Sequence, residues 1–170
     1  VVIKPSQIGA SEMIARMILA RAAIIQPYSC IYTMPSAKSS QDFCKSRISP
    51  IVDESPYLRE LVDNNNDSVS MKKIGHSLIH FKGAFKDAQA ISVPADAVIA
   101  DEYSYADTTV VKQFQSRLTH SHYKHTIYFS TPLLPNFGID AEFQETRKHY
   151  RMCKCNHCGE WFWPQFLEHC

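Results

Sequence analysis

The sequence predicts an α/β fold: a mostly parallel sheet covered by helices on both faces. Three observations predict it. Short apolar segments alternate with stretches whose apolar residues recur at helical spacing. The chain opens on an apolar segment, Val1-Val2-Ile3, that leads through a polar loop into a Gly-Ala-Ser turn. A second apolar run, Ala97-Val98-Ile99-Ala100, has the length and composition of a parallel strand buried on both faces, and it ends in Asp101-Glu102.

The elements follow in order. Val1 reads as the start of a core strand. Ile14, Met17, Ile18, Ala22 and Ile25 recur at helical spacing, which predicts a helix from Ser11 to about Ile25, closed by Pro27. Ser29 to Met34 reads as the next strand, and a helix from about Ser36 to Arg47 follows. Ser55-Pro56 has the form of an N-cap with proline at the first helical position. Asn64-Asn65-Asn66-Asp67 is a turn cluster. Val69–Ile74 and Ser77–Phe81 read as a hairpin around Gly75. A short helix near Phe85 to Ala90 leads through Pro94 into the acidic strand. Asp107 to about Leu118 reads as helix, and Lys124 to Phe129 as a strand that exits through Ser130-Thr131-Pro132.

At 170 residues the chain is one domain's worth, long enough for a sizeable core. No apolar run approaches the length of a membrane span, and we expect no signal peptide because Val1 reads as part of a core strand. A start so close to the loop, and a stop at Cys170 within a cysteine motif, lead us to expect a fragment of a longer protein. The formal net charge is only +1, so composition alone does not demonstrate nucleic-acid binding. The basic groups Lys72-Lys73, Lys82 with Lys86, and Arg147-Lys148-His149-Tyr150-Arg151 read as solvated faces. Six cysteines without a secretory signal argue against a disulfide scaffold. Cys30 and Cys44 sit among apolar residues as small hydrophobes; the other four cluster at the end.

The opening loop carries the first chemistry. Set against the phosphate-loop pattern G-x-x-x-x-G-K-[ST], Gly9 takes the second glycine and Ser11 the hydroxyl residue. Ala10 stands in place of the lysine, and Lys4 occupies the first-glycine position. A phosphate site needs backbone N–H groups at a helix N-terminus, a hydroxyl for Mg²⁺ and a cation. The segment Gln7-Ile8-Gly9-Ala10-Ser11-Glu12 offers the first two, and Lys4 can supply the third from the start of the loop. The acidic strand carries the second chemistry. Ligands bind at the C-terminal ends of parallel strands, and there Asp101 would hold Mg²⁺ while Glu102 polarises the water that attacks the γ-phosphate. Ser130 and Thr131, at the tip of a neighbouring strand, would sense that phosphate through hydrogen bonds. Finally, Cys155-Asn156-His157-Cys158-Gly159 is a Cys-x-x-Cys knuckle of the kind that converges two thiolates on zinc. Cys170 is a candidate third ligand, with Cys153 or His169 as the fourth.

Taken in this order, K-P-S-Q-I-G-A-S-E, V-I-A-D-E, F-S-T-P and C-x-H-C-G resemble the ATPase part of the large terminase subunit of tailed phages. The lambda-like branch, with its loop lysine displaced as at Lys4, is the most similar. Tyr32-Thr33-Met34-Pro35-Ser36 and Arg47-Ile48-Ser49-Pro50 also resemble that family's segment after the second strand. The resemblance implies a P-loop NTPase fold of the RecA-like, strand-catalytic-glutamate kind. Residues 1–150 would form the ATPase domain and residues 151–170 the start of a zinc-ribbon-like extension. It implies an ATP- and Mg²⁺-dependent motor that moves double-stranded DNA into a capsid, with Zn²⁺ as a further cofactor. Its partners would be other copies of itself in a ring, a small terminase subunit and the capsid portal. It would act in the host cell cytoplasm, with no membrane role and with the nuclease in a separate domain. An arginine finger from a neighbouring subunit is expected; Arg47 and Arg117 are candidates, since no arginine lies between Phe85 and Asp101. The rival readings are a helicase-like DNA translocase and a degenerate, non-catalytic P-loop domain, for which Ala10 is the best support.

Overall fold

The computed structural model describes residues 1–62, 67–85 and 93–164. Strand β1 (Val2–Ile3) leads through the loop into helix α1 (Ala10–Ile24), and β2 (Ser29–Met34) follows. Helix α2 (Ala37–Phe43) continues without a break into a π-helical turn (Cys44–Ile48) and then α3 (Ser49–Glu54). Helix α4 (Pro56–Leu61) precedes the hairpin of β3 (Met71–Ile74) and β4 (Ser77–Gly83). After β5 (Ala97–Asp101) come α5 (Thr108–Gln115), β6 (His125–Ser130), α6 (Ile139–Gln144), and a small antiparallel pair, β7 (Cys153–Lys154) with β8 (Trp161–Phe162).

The main sheet runs β1-β6-β5-β2-β4-β3, and every neighbouring pair is parallel except the β3–β4 hairpin. The predicted mostly parallel sheet is therefore present. Side chains alternate along each strand, so the sheet has two apolar faces. Cys30, Tyr32, Ala97, Ile99 and Phe129 face one core, which Ile14, Ile18, Leu19 and Ala22 of α1 share with Phe43, Ile48, Ile51 and Leu58 of the α2–α4 arm. Ile31, Val98, Ala100 and Tyr128 face the other, covered by Val110, Val111 and Phe114 of α5 and by Ile139 of α6. Burying each large apolar side chain contributes about 1.5–3 kcal/mol before the entropy of ordering is deducted.

Local chemistry sets the boundaries. Ser36 and Ser55 cap α2 and α4, accepting the N–H of Ser39 and of Leu58, and Pro56 opens α4 as predicted. Asp107 caps α5 through the Thr109 N–H. Gly83 ends β4 where a side chain would strike the Ala37 backbone nitrogen at 2.3 Å, so the turn into α2 can pass close to the sheet only at glycine.

Two expectations need correction. Strand β1 lies at the sheet edge among the described residues, with Val1 and Val2 exposed rather than in a core. A two-residue apolar segment does not reveal how many neighbours it will have. The single helix expected over Ser36–Arg47 is α2 followed by the π-helical turn, which winds on into α3. The predicted turn at Asn64–Asp67 and the helix near Phe85–Ala90 fall largely outside the described residues.

Candidate active site

The strand order assembles the site. β6 lies between β1 and β5, with Ile3 opposite Ser130 and Asp101 opposite Phe129. Lys4, the acidic pair and Ser130 therefore emerge side by side at the C-terminal end of the parallel strands. The Lys4 N–H extends the β1–β6 ladder by donating to the Ser130 carbonyl at 3.0 Å.

Beyond Lys4 the chain turns through Gln7 (φ 61°) and Gly9 (φ 78°) into α1. Positive φ suits glycine at the helix N-cap, and no side chain caps the first turn, so its N–H groups remain available to an anion. Every residue from Gln7 to Glu12 lines a cleft of about 370 Å³, which Lys4, Phe43 and Arg47 complete.

Lys4 is nearly inaccessible, and its ammonium donates to Glu102 Oε1 at 2.8 Å, with the Phe129 ring 5.8 Å away. Glu102 itself stands at φ 54°, a strained conformation for a non-glycine residue. Its side chain is about one-third exposed (31 %). The displaced lysine and the second acidic residue thus meet directly, across the tip of β6.

Asp101 is buried at 1 % exposure. Burial pushes its carboxyl above the usual carboxylate range, while the Tyr32 and Ser11 hydroxyls and Lys4 act in the opposite direction. Tyr32 donates to Oδ2 at 2.8 Å, whereas Oδ1 is buried without a hydrogen-bond partner. A folded-state pKa above the unfolded value means that this group contributes to stability at low pH and loses that contribution as pH rises through the folded pKa. Once ionised, the buried carboxylate carries a desolvation cost that a cation at Oδ1 would offset. An orphaned anionic oxygen beside the first hydroxyl of α1 fits Mg²⁺, with Ser11 and Asp101 as the residues to hold it.

Ser130 is fully buried. Its hydroxyl accepts the Ser104 N–H at 3.2 Å and donates to the Thr131 carbonyl at 3.1 Å. Ser104 in turn accepts the Ile139 N–H at 3.2 Å, and Tyr103 donates to Glu142 at 2.7 Å. The predicted phosphate-sensing hydroxyl is therefore engaged within the fold, joining the segment after Glu102 to α6. Thr131 is partly exposed at the same strand tip.

Of the two arginine candidates, Arg47 is exposed and lines the loop cleft from the π-helical turn, a feature frequent at functional sites. Arg117 lies at the far end of the sheet, where its carbonyl accepts the Ala95 N–H ahead of β5. Sequence reasoning missed Tyr32 and Phe43. The available signal was a tyrosine directly after the apolar Cys30-Ile31 within β2, since burying a hydroxyl without a partner is costly.

Cys155 and Cys158 sit in the turn between β7 and β8. Gly159 (φ 78°) donates its N–H to the Cys155 carbonyl at 3.0 Å. Backbone N–H groups of Cys158 and His157 pull the Cys155 thiol below its ordinary pKa. Among the described residues no group of three or more His, Cys, Asp or Glu side chains is placed to hold a metal, and Cys170 lies outside them.

A strand, a glycine turn and an open helix N-terminus, facing an acidic strand across one intervening strand, define a P-loop nucleotide site. The chain belongs to the ATPase-domain family of the phage terminase large subunit gpA, whose sequence model matches residues 1–168. Solved structures agree on the fold. The large terminase of bacteriophage HK97 superposes with a TM-score of 0.71 at 14% identity, over 85% of this chain and 31% of that one. A large terminase from a thermophilic bacteriophage, in complex with ADP, gives 0.65 at 9% identity, over 84% and 36%. The large terminase ATPase domain of a Thermus phage gives 0.55 at 16% identity, over 81% and 60%. The chain thus spans about a third of the first two proteins. No curated relative matches it. No described helix is long and apolar enough to cross a membrane.

Proposed function

We propose that this ATPase domain powers the movement of double-stranded DNA into a viral capsid, as part of a terminase large subunit acting in the host cytoplasm. The observation that carries the site reading is the 2.8 Å contact between Lys4 and Glu102. It sets the displaced loop cation directly against the second residue of the acidic pair, which a degenerate loop retained only for its shape does not require.

In this reading the N–H groups from Gln7 to Ser11 cradle the nucleotide's phosphates, with Glu12 in the same turn, and Lys4 neutralises their charge. Ser11 and Asp101 hold Mg²⁺, which supplies charge neutralisation at the phosphates when bound. Glu102 orients the attacking water and accepts its proton. Lys4 and Glu102 meet at 2.8 Å, so a phosphate that draws the ammonium towards itself would leave the Glu102 carboxylate free to act as base. Ser130 holds Ser104, two residues after Glu102, and Ser104 holds Ile139 of α6; with Thr131 next to Ser130 in the chain, this is a route by which phosphate loss would reach the rest of the motor.

Arg47 is positioned to add a cation from within the same chain. Arg47→Ala in the full-length subunit is expected to lower the rate of ATP turnover at least about tenfold, with nucleotide affinity changed far less. Unchanged turnover would leave the transition-state arginine to a neighbouring copy.

The partners of this reading are duplex DNA, further copies in a ring, a small terminase subunit and the capsid portal. In this reading residues 1–150 are the motor domain, and residues 151–170 begin a zinc-ribbon-like extension that carries the Cys155–Cys158 knuckle. The test is packaging of a linear duplex into empty capsids by the full-length subunit. ATP-dependent protection of the DNA from nuclease is expected, lost in Glu102→Gln. DNA unwinding without packaging would favour a helicase-like translocase instead.

A further inference from the structure

We infer that Tyr32 is a positioning residue for the metal-holding carboxylate: its hydroxyl fixes Asp101 through Oδ2 and leaves Oδ1 as the oxygen offered to the cation. The inference rests on the reading of Asp101 given above.

Packing does not call for this hydroxyl. Tyr32 is fully buried on β2, with its ring stacked on Phe43 (centroids 4.8 Å apart, planes 5° apart) and tilted against Phe81 at 5.9 Å. A phenylalanine would keep both ring contacts without burying an oxygen. The hydroxyl's hydrogen-bond partner is Asp101, at 2.8 Å. A buried carboxylate held at one oxygen by a charge-assisted bond cannot rotate freely. The other oxygen is then presented in one orientation, and it is the one left without a partner. The groups facing this carboxylate besides Tyr32 are Ser11, Glu102 and Lys4. Of these, Ser11 belongs to the cation site, and Lys4 is held by Glu102.

The two rings add a second consequence. Phe43, stacked on Tyr32, lines the loop cleft and stands one helical turn before Arg47. Tyr32 therefore ties the acidic strand to the arm that carries the arginine.

The experiment measures ADP affinity of the full-length subunit by calorimetry, in excess Mg²⁺ and again in chelator. Mg²⁺ should tighten ADP binding to the parent. In Tyr32→Phe that gain should shrink by about tenfold, while affinity in chelator stays within about twofold of the parent. In Asp101→Asn the gain should vanish. An undiminished gain in Tyr32→Phe beside a lost gain in Asp101→Asn overturns the positioning role and keeps Asp101. A gain retained in Asp101→Asn overturns both. Loss of affinity in chelator as well as in Mg²⁺ shows a merely structural tyrosine, and that too overturns the inference.

Discussion

Glu102→Gln in the full-length subunit is expected to bind ATP at close to the parental affinity and to lose turnover by about 10²–10⁴-fold, the scale of a general base. The amide keeps the size of the side chain but cannot accept the proton of the attacking water. It also weakens the hold on Lys4, because an amide oxygen attracts an ammonium less strongly than the carboxylate that now meets it at 2.8 Å. ATP binding should therefore be equal or tighter, since phosphate no longer competes with an anion for that lysine. This combination separates the proposed role from structural damage. A collapsed loop would lose affinity and turnover together. Parental turnover in Glu102→Gln would remove Glu102 from the role of base, and the strained φ of 54° would then need another explanation.

The parts of this site written in contiguous residues were legible in the sequence. The loop from Gln7 to Glu12, the helix beginning near Ser11, β2 from Ser29 to Met34, the hairpin at Gly75 and the run into Asp101 each follow from local periodicity or turn chemistry. Side chains whose roles depend on pairing across the sheet were not. Tyr32 meets Asp101 only because β2 lies beside β5 with Tyr32 opposite Ile99, and no local pattern states that register. Ser130 was placed correctly at the strand tip. Its engagement with Ser104 arises because the segment after β5 folds back over β6, again a long-range event. The position of β1 at the edge has the same cause: strand order is a property of the assembled sheet. The π-helical turn after Phe43 also escaped prediction, because no local propensity of Cys44 to Ile48 marks it.

Lys4→Ala is expected to weaken ATP binding or turnover at least tenfold, the equivalent of about 1.4 kcal/mol of charge-assisted contact with phosphate. Ala10 occupies the position at which the usual loop carries its lysine, so no second cation in the turn compensates. The substitution acts twice. It removes the cation from the cleft, and it leaves Glu102 with its negative charge facing the site where phosphates must sit. The second effect distinguishes this position from an ordinary loop lysine, because like charges repel nucleotide in addition to the lost attraction. Combining the two changes provides the check. If Glu102 repels nucleotide once Lys4 is gone, Lys4→Ala with Glu102→Gln should bind ATP more tightly than Lys4→Ala alone, although it turns none over. Strict additivity of the two binding effects would show that the 2.8 Å contact carries no coupling between the cation and the base. Near-parental kinetics in Lys4→Ala would be more severe, because Lys4 would then not be the cation that faces phosphate.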